Sequence, residues 1–79
     1  MVNFKMDFTD GINMYYDKEE GYHLVIEQLL PGTYYLQIKD REKNGLDAVC
    51  FSCFTTQSLN DYLECAYATY LEEGNFESL

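Results

Sequence analysis

The feature that most constrains this chain is a single amphipathic stripe near its C-terminus. Leu59, Tyr62, Leu63, Ala66, Tyr67, Tyr70 and Leu71 fall at i, i+3, i+4, i+7, i+8, i+11 and i+12, the repeat of one helix face. Ser58 is placed to cap that helix, and Asp61 three residues later forms a short-armed capping box. Gly74 follows the stripe, where a left-handed residue ends a helix without steric cost. A helix with one apolar stripe must bury it. The rest of the chain carries strand-like patterns, so the partner is one face of a sheet.

Those strand patterns are short and well punctuated. Residues 2–8 alternate with a period of two through Val2, Phe4, Met6 and Phe8. Residues 12–16 put Ile12, Met14 and Tyr16 on one face, and the charged residues 17–21 read as a turn. Tyr22–Leu30 and Thr33–Lys39 flank Pro31-Gly32, where Pro sets φ and Gly accepts a positive φ. Residues 40–45 form a loop ending in Asn44-Gly45, a strong hairpin signal. A last strand is expected over residues 47–56, through Val49, Phe51 and Phe54. The expected fold is α+β: an antiparallel meander sheet of four to five strands with one C-terminal helix packed across one face. Residues 1–79 form a single compact domain, because apolar residues at 47% and aromatics at 16% exceed what a solvated coil carries.

Charge narrows the function. Fourteen acidic residues against five basic ones give a formal net charge of −9. Nucleic-acid phosphates and anionic membrane surfaces repel such a chain, so neither is an expected direct partner. The attractive partner is a basic protein surface. Three cysteines in a chain with no signal-like start argue against a disulfide framework. With no apolar run long enough to span a bilayer, a soluble, cytoplasmic protein is expected.

Catalytic and metal readings find little support. Cys50 and Cys53 have C-x-x-C spacing, and with Cys65 and His23 they make a Cys₃His set by count. On an extended strand, however, residues three apart point to opposite faces and cannot converge on one ion. Redox chemistry needs the first thiol at a helix N-terminus, and here the helix starts later. Buried thiols that pack as small hydrophobes are the expectation. His23 has no activated nucleophile near it in sequence, the glycines form no phosphate loop, and the acidic residues around Asp10 and Glu20 lack the EF-hand frame. No enzyme activity and no cofactor are expected.

The acidic residues themselves are the remaining candidates. Three of the five basic residues lie in the run from Lys39 to Lys43, which leaves twelve acidic residues against two basic ones in the rest of the chain. On the helix, Asp61, Glu64 and Glu72 lie off the apolar stripe with Glu73 beside them, and spacings of three or four residues set carboxylates roughly 5–6 Å apart. That is a phosphate-like repeat of charge. Glu72 and Glu73 also sit in the last helical turn, where the macrodipole disfavours them by about 0.3–1 kcal/mol each. A local rule broken without evident compensation points to use. Asp17, Glu19 and Glu20 form a second patch.

Tyrosine adds to this. Tyr15-Tyr16 and Tyr34-Tyr35 place rings on both faces of the sheet, and one helix covers only one face. Tyr15 and Tyr35 are therefore candidate contacts, since tyrosine supplies large contact area at low entropic cost. Two readings follow. In one, the acidic face docks on a basic nucleic-acid site of another protein. In the other, the chain is a small regulatory or assembly module that dimerises or docks through the Tyr-rich sheet face or an edge strand.

In size, charge, tyrosine content and sheet-plus-helix plan, the whole chain resembles the small acidic anti-defence proteins of phages and other mobile elements, of the anti-CRISPR and DNA-mimic kinds. The resemblance lies in general character and carries no motif. It implies inhibition by occupancy, with an acidic face filling the nucleic-acid site of a host defence nuclease or CRISPR-type complex.

Overall fold

Among the described residues, four antiparallel strands and one helix follow each other: β1 (Ile12–Asp17), β2 (Tyr22–Leu30), β3 (Thr33–Lys39), β4 (Gly45–Ser52) and α1 (Thr56–Glu73). The computed structural model describes residues 11–79. The strand expected over residues 2–8 lies outside the described residues. Sheet order equals chain order, β1-β2-β3-β4, so each strand pairs with its sequence neighbour in a meander. The α+β plan is the expected one.

Local chemistry explains the hairpins. Pro31 and Gly32 alone join β2 to β3, with Gly32 at φ 82°. A Pro-Gly turn twists the flanking strands less favourably than the mirror-image turns do. The irregular register between Gln28 and Leu30 absorbs that mismatch within β2. The β3–β4 connection differs from expectation. Asn44-Gly45 is not the tight turn. Instead Asp40 accepts from the Lys43 N–H at 2.9 Å, and Lys43 takes the positive φ of 68°. The Asp40 carboxylate accepts from the Asn44 N–H at 2.8 Å and from its side-chain amide at 3.0 Å. With the loop closed there, Gly45 already pairs with Lys39, so β4 starts earlier than residue 47.

The other end of β4 also moves. The strand stops at Ser52, and Thr55 rather than Ser58 caps the helix. The Thr55 hydroxyl oxygen accepts from the Ser58 N–H at 3.0 Å and its proton goes to the Ser58 hydroxyl at 2.9 Å. Thr55 is extended, at φ −131° and ψ 157°, as an N-cap must be. Asp61 does not reach back to a cap; it accepts from Gln57 one turn earlier at 2.9 Å. At the far end Gly74 takes φ 79° and donates its N–H to Tyr70 at 2.7 Å, the left-handed stop.

The core lies between the sheet and α1. Leu24, Ile26, Tyr34, Leu36 and Ile38 from the two central strands meet Leu59, Leu63, Ala66, Tyr67 and Tyr70 from the helix, all buried. The helix stripe is thus the expected one with one exception: Leu71, at its C-terminal end, is exposed. Truncating Leu24, Leu36, Leu59 or Leu63 to Ala would each cost about 2–5 kcal/mol, a large share of a small domain's stability. Aromatic contacts close both ends. Phe51 stacks on Tyr62 at 3.9 Å between centroids, and Tyr22 meets Tyr70 edge-on at 5.3 Å. Beyond α1 the chain folds back: Phe76 is buried against Tyr70, and its N–H donates to the Asp47 carboxylate of β4 at 2.8 Å.

Candidate functional site

The β1–β2 turn and the helix enclose an open groove of about 590 Å³. Its walls are Tyr15, Tyr16 and Asp17 from β1, Lys18, Glu19 and Glu20 from the turn, and Glu64, Tyr67, Ala68 and Leu71 from α1. Helical spacing accounts for the last four: residues 64, 67, 68 and 71 form one ridge. Four carboxylates and one ammonium therefore rim a wall of aromatic and aliphatic carbon.

The turn is held by its own first residue. The Asp17 carbonyl accepts from the Gly21 N–H at 2.7 Å, and Gly21 has a φ of 83°. One Asp17 carboxylate oxygen accepts from the Glu19 N–H at 3.0 Å and, at longer range, from the Glu20 N–H at 3.4 Å, an Asx-type arrangement. The other oxygen accepts the Tyr67 hydroxyl proton at 2.5 Å. A Cβ on Gly21 would lie 2.9 Å from the Arg41 guanidinium, so Arg41 covers the back of the turn. The acidic side chains of Glu19 and Glu20 thus stand on a fixed frame.

Electrostatics keep that frame ionised at neutral pH. The Tyr67 hydrogen bond is the main cause holding the Asp17 carboxyl below its ordinary value, with help from the Glu20 and Glu19 N–H groups against a smaller burial effect. Burial first, then the bond to Asp17, pushes the Tyr67 phenol strongly up. The two directions agree: Asp17 is the acceptor and Tyr67 the proton-bearing donor. Among the described lining residues the groove presents carboxylates, one ammonium, phenols and aliphatic carbon. A guanidinium matches it well, because it forks onto carboxylates and stacks on tyrosine rings.

Sequence and structure overlap here in part. Tyr15, Asp17, Glu19, Glu20 and Glu64 come together around the groove. Asp61, Glu72 and Glu73 are exposed elsewhere on α1, and Tyr35 projects from the opposite side of the sheet. The two ill-placed glutamates differ in their surroundings. Glu73 is partly compensated, since its carboxylate accepts from the Ser78 hydroxyl at 3.2 Å. No basic residue offsets Glu72 within the last turn. Spacing alone assigns Tyr67 and Leu71 to the core, and Ala68 lies outside the stripe. Leu71 offers a signal at the stripe's edge, two turns from Glu64 on the face that leaves the sheet.

The cysteines do not assemble. Cys50 is exposed on β4, Cys53 is buried just beyond it, and Cys65 is exposed on α1. Burial pushes the Cys53 thiol up, which makes it less reactive. Among the described residues no group of three or more His, Cys, Asp and Glu is placed to hold a metal ion. Nor is any described helix long and apolar enough to cross a membrane. His23 stacks on Tyr16 at 4.4 Å and bonds the Arg41 carbonyl at 3.3 Å, a structural role. Compared with known proteins, the chain matches no family model, and no curated protein or solved structure is significantly similar to it.

Proposed function

We propose that this protein is a non-enzymatic acidic binding protein that occupies the basic nucleic-acid site of another protein, such as a host defence nuclease or CRISPR-type complex. One observation carries the reading: acidic residues distant in sequence, Asp17, Glu19, Glu20 and Glu64, rim one groove with an apolar floor. A basic channel built for phosphates presents Lys and Arg, and this rim supplies carboxylates to meet them. The tyrosines and Leu71 add contact area that bare charge lacks, and so supply specificity.

An Arg-rich peptide of alternating Arg and Leu serves as the probe. Its binding is followed by chemical-shift changes at Tyr15, Glu64 and Tyr67, and by affinity at roughly 50 mM and 500 mM salt. Shifts clustered at the groove and a marked loss of affinity at high salt are expected. The combined Glu19→Gln, Glu20→Gln, Glu64→Gln variant should lose most of that binding. Salt-independent affinity, or equal binding by the neutralised variant, would sink the proposal.

A further inference from the structure

The sheet face turned away from α1 differs in character from the rest of the molecule. Alternation puts Ile12, Met14 and Tyr16 of β1 there, with His23, Val25 and Glu27 of β2, Tyr35, Gln37 and Lys39 of β3, and Ala48 and Cys50 of β4. The pairing arranges them in rows. Ile12, Glu27, Tyr35 and Cys50 form one outer row, and Met14, Val25, Gln37 and Ala48 the middle one. Tyr16, His23 and Lys39 form the other outer row. Ile12 is 60% exposed and Met14 77%. Ile12, Met14 and Tyr16 thus stand exposed side by side along β1. Half-buried Val25, Tyr35 and Ala48 lie beside them, an apolar strip suited to an interaction surface.

Charge identifies the occupant. In a chain of net −9, the described residues of this face include one acidic residue, Glu27, and one basic residue, Lys39, in opposite outer rows of neighbouring strands. The face is therefore neutral and self-complementary. A basic partner is drawn to the acidic groove on the other side of the sheet, and an anionic membrane is repelled by the whole molecule. A second copy meets neither objection. With an in-plane two-fold axis between the copies, each Glu27 stands over the other copy's Lys39, and the middle rows of Met14, Val25 and Ala48 close on each other. We infer that this open sheet face is the isologous interface of a homodimer.

The size of the face sets the strength. Four strands about 4.8 Å apart and six to nine residues long cover roughly 400–500 Å² per copy. Doubled, that is roughly 800–1,000 Å², at or below the roughly 1,000 Å² that a stable specific interface buries, and so in the weak, transient class. A weak dimer, in the micromolar range, is the consequence.

Sedimentation of the full chain from low micromolar to near-millimolar concentration tests this. The expected result is a monomer at the dilute end passing to twice the mass. Met14→Glu and Val25→Glu each raise the dissociation constant by about tenfold or more, since both put like charges into the middle rows. Met14 is exposed, so Met14→Glu keeps the fold. Glu27→Lys alone and Lys39→Glu alone weaken the dimer, and the two together restore it. A monomer at every concentration overturns the inference, as does a dimer indifferent to Met14→Glu and Val25→Glu. A double reversal no tighter than either single one overturns the pairing of Glu27 with Lys39. Met14, Val25, Glu27 and Lys39 are not among the groove's lining residues, so these variants leave the acidic groove intact; Tyr16 alone belongs to both surfaces.

Discussion

The Tyr67 hydroxyl donates to the Asp17 carboxylate at 2.5 Å across fifty residues of chain. That bond joins the helix to the β1–β2 turn and sets the shape of the acidic groove between them. It is a charge-assisted bond in which Asp17 also satisfies two backbone N–H groups of its own turn. Removing the phenol oxygen tests it directly. Tyr67→Phe keeps the buried ring and should cost about 1–2 kcal/mol in urea unfolding, since bonds to charged groups exceed the ordinary value but this one is partly solvated. In the variant, NMR titration should find the Asp17 carboxyl displaced upward from its native value. An unmoved Asp17 titration would show that the bond is not formed in solution.

Stability should fall at both ends of the pH scale. The Asp17 and Asp40 carboxyls are held below 3.8 by hydrogen bonds from Tyr67 and Asn44 respectively. Groups depressed in the folded state contribute stability above their unfolded value, and that contribution is lost as pH drops through the folded one. On the alkaline side, burial raises Tyr62, Tyr67 and Tyr70 above 10.0, so the unfolded chain loses protons first and stability declines beyond that pH. Urea midpoints should form a plateau at neutral pH, falling below about pH 4 and above about pH 10. Tyr67→Phe should flatten both limbs in part, and identical limbs in the variant would contradict the coupling.

The two cap candidates separate cleanly. Thr55→Ala removes the oxygen that accepts from the Ser58 N–H and should destabilise by about 1 kcal/mol. Ser58→Ala lies inside the first turn and should cost only a few tenths, as its hydroxyl accepts from Thr55 without capping a backbone donor. Thermal or urea denaturation of the pair decides; a larger loss for Ser58→Ala would restore the later helix start.

Lys43 sits in the left-handed region at φ 68° without glycine's freedom. Lys43→Gly should therefore raise stability by roughly 0.5–1 kcal/mol, the relief of strain exceeding the extra entropy of the unfolded glycine. A destabilised variant would show that the lysine side chain makes compensating contacts. Chemical denaturation at neutral pH measures the difference.

Much of the architecture was legible because it follows from local rules. The stripe from Leu59 to Tyr70 had to be helical and buried, Pro31-Gly32 had to turn, and alternation assigned Leu36 and Ile38 to one face. The boundaries were less legible. Thr55 outcompeted Ser58 as a cap, and Asp40 closed the loop before Asn44-Gly45 could, because side-chain hydrogen bonds choose among several competent residues only once the chain has closed.

The acidic residues show the same division more sharply. The sequence by itself determined that charge of −9 is concentrated away from one balanced loop, and that a lone helix leaves a second sheet face uncovered. Only the tertiary structure decided which carboxylates lie together. Glu64 joins Asp17, Glu19 and Glu20 because the helix packs with Tyr67 bonded to Asp17, while Glu72 and Glu73 are not among the groove's lining residues. Periodicity specifies which side of an element is apolar; packing of that side sets where its polar edge lands.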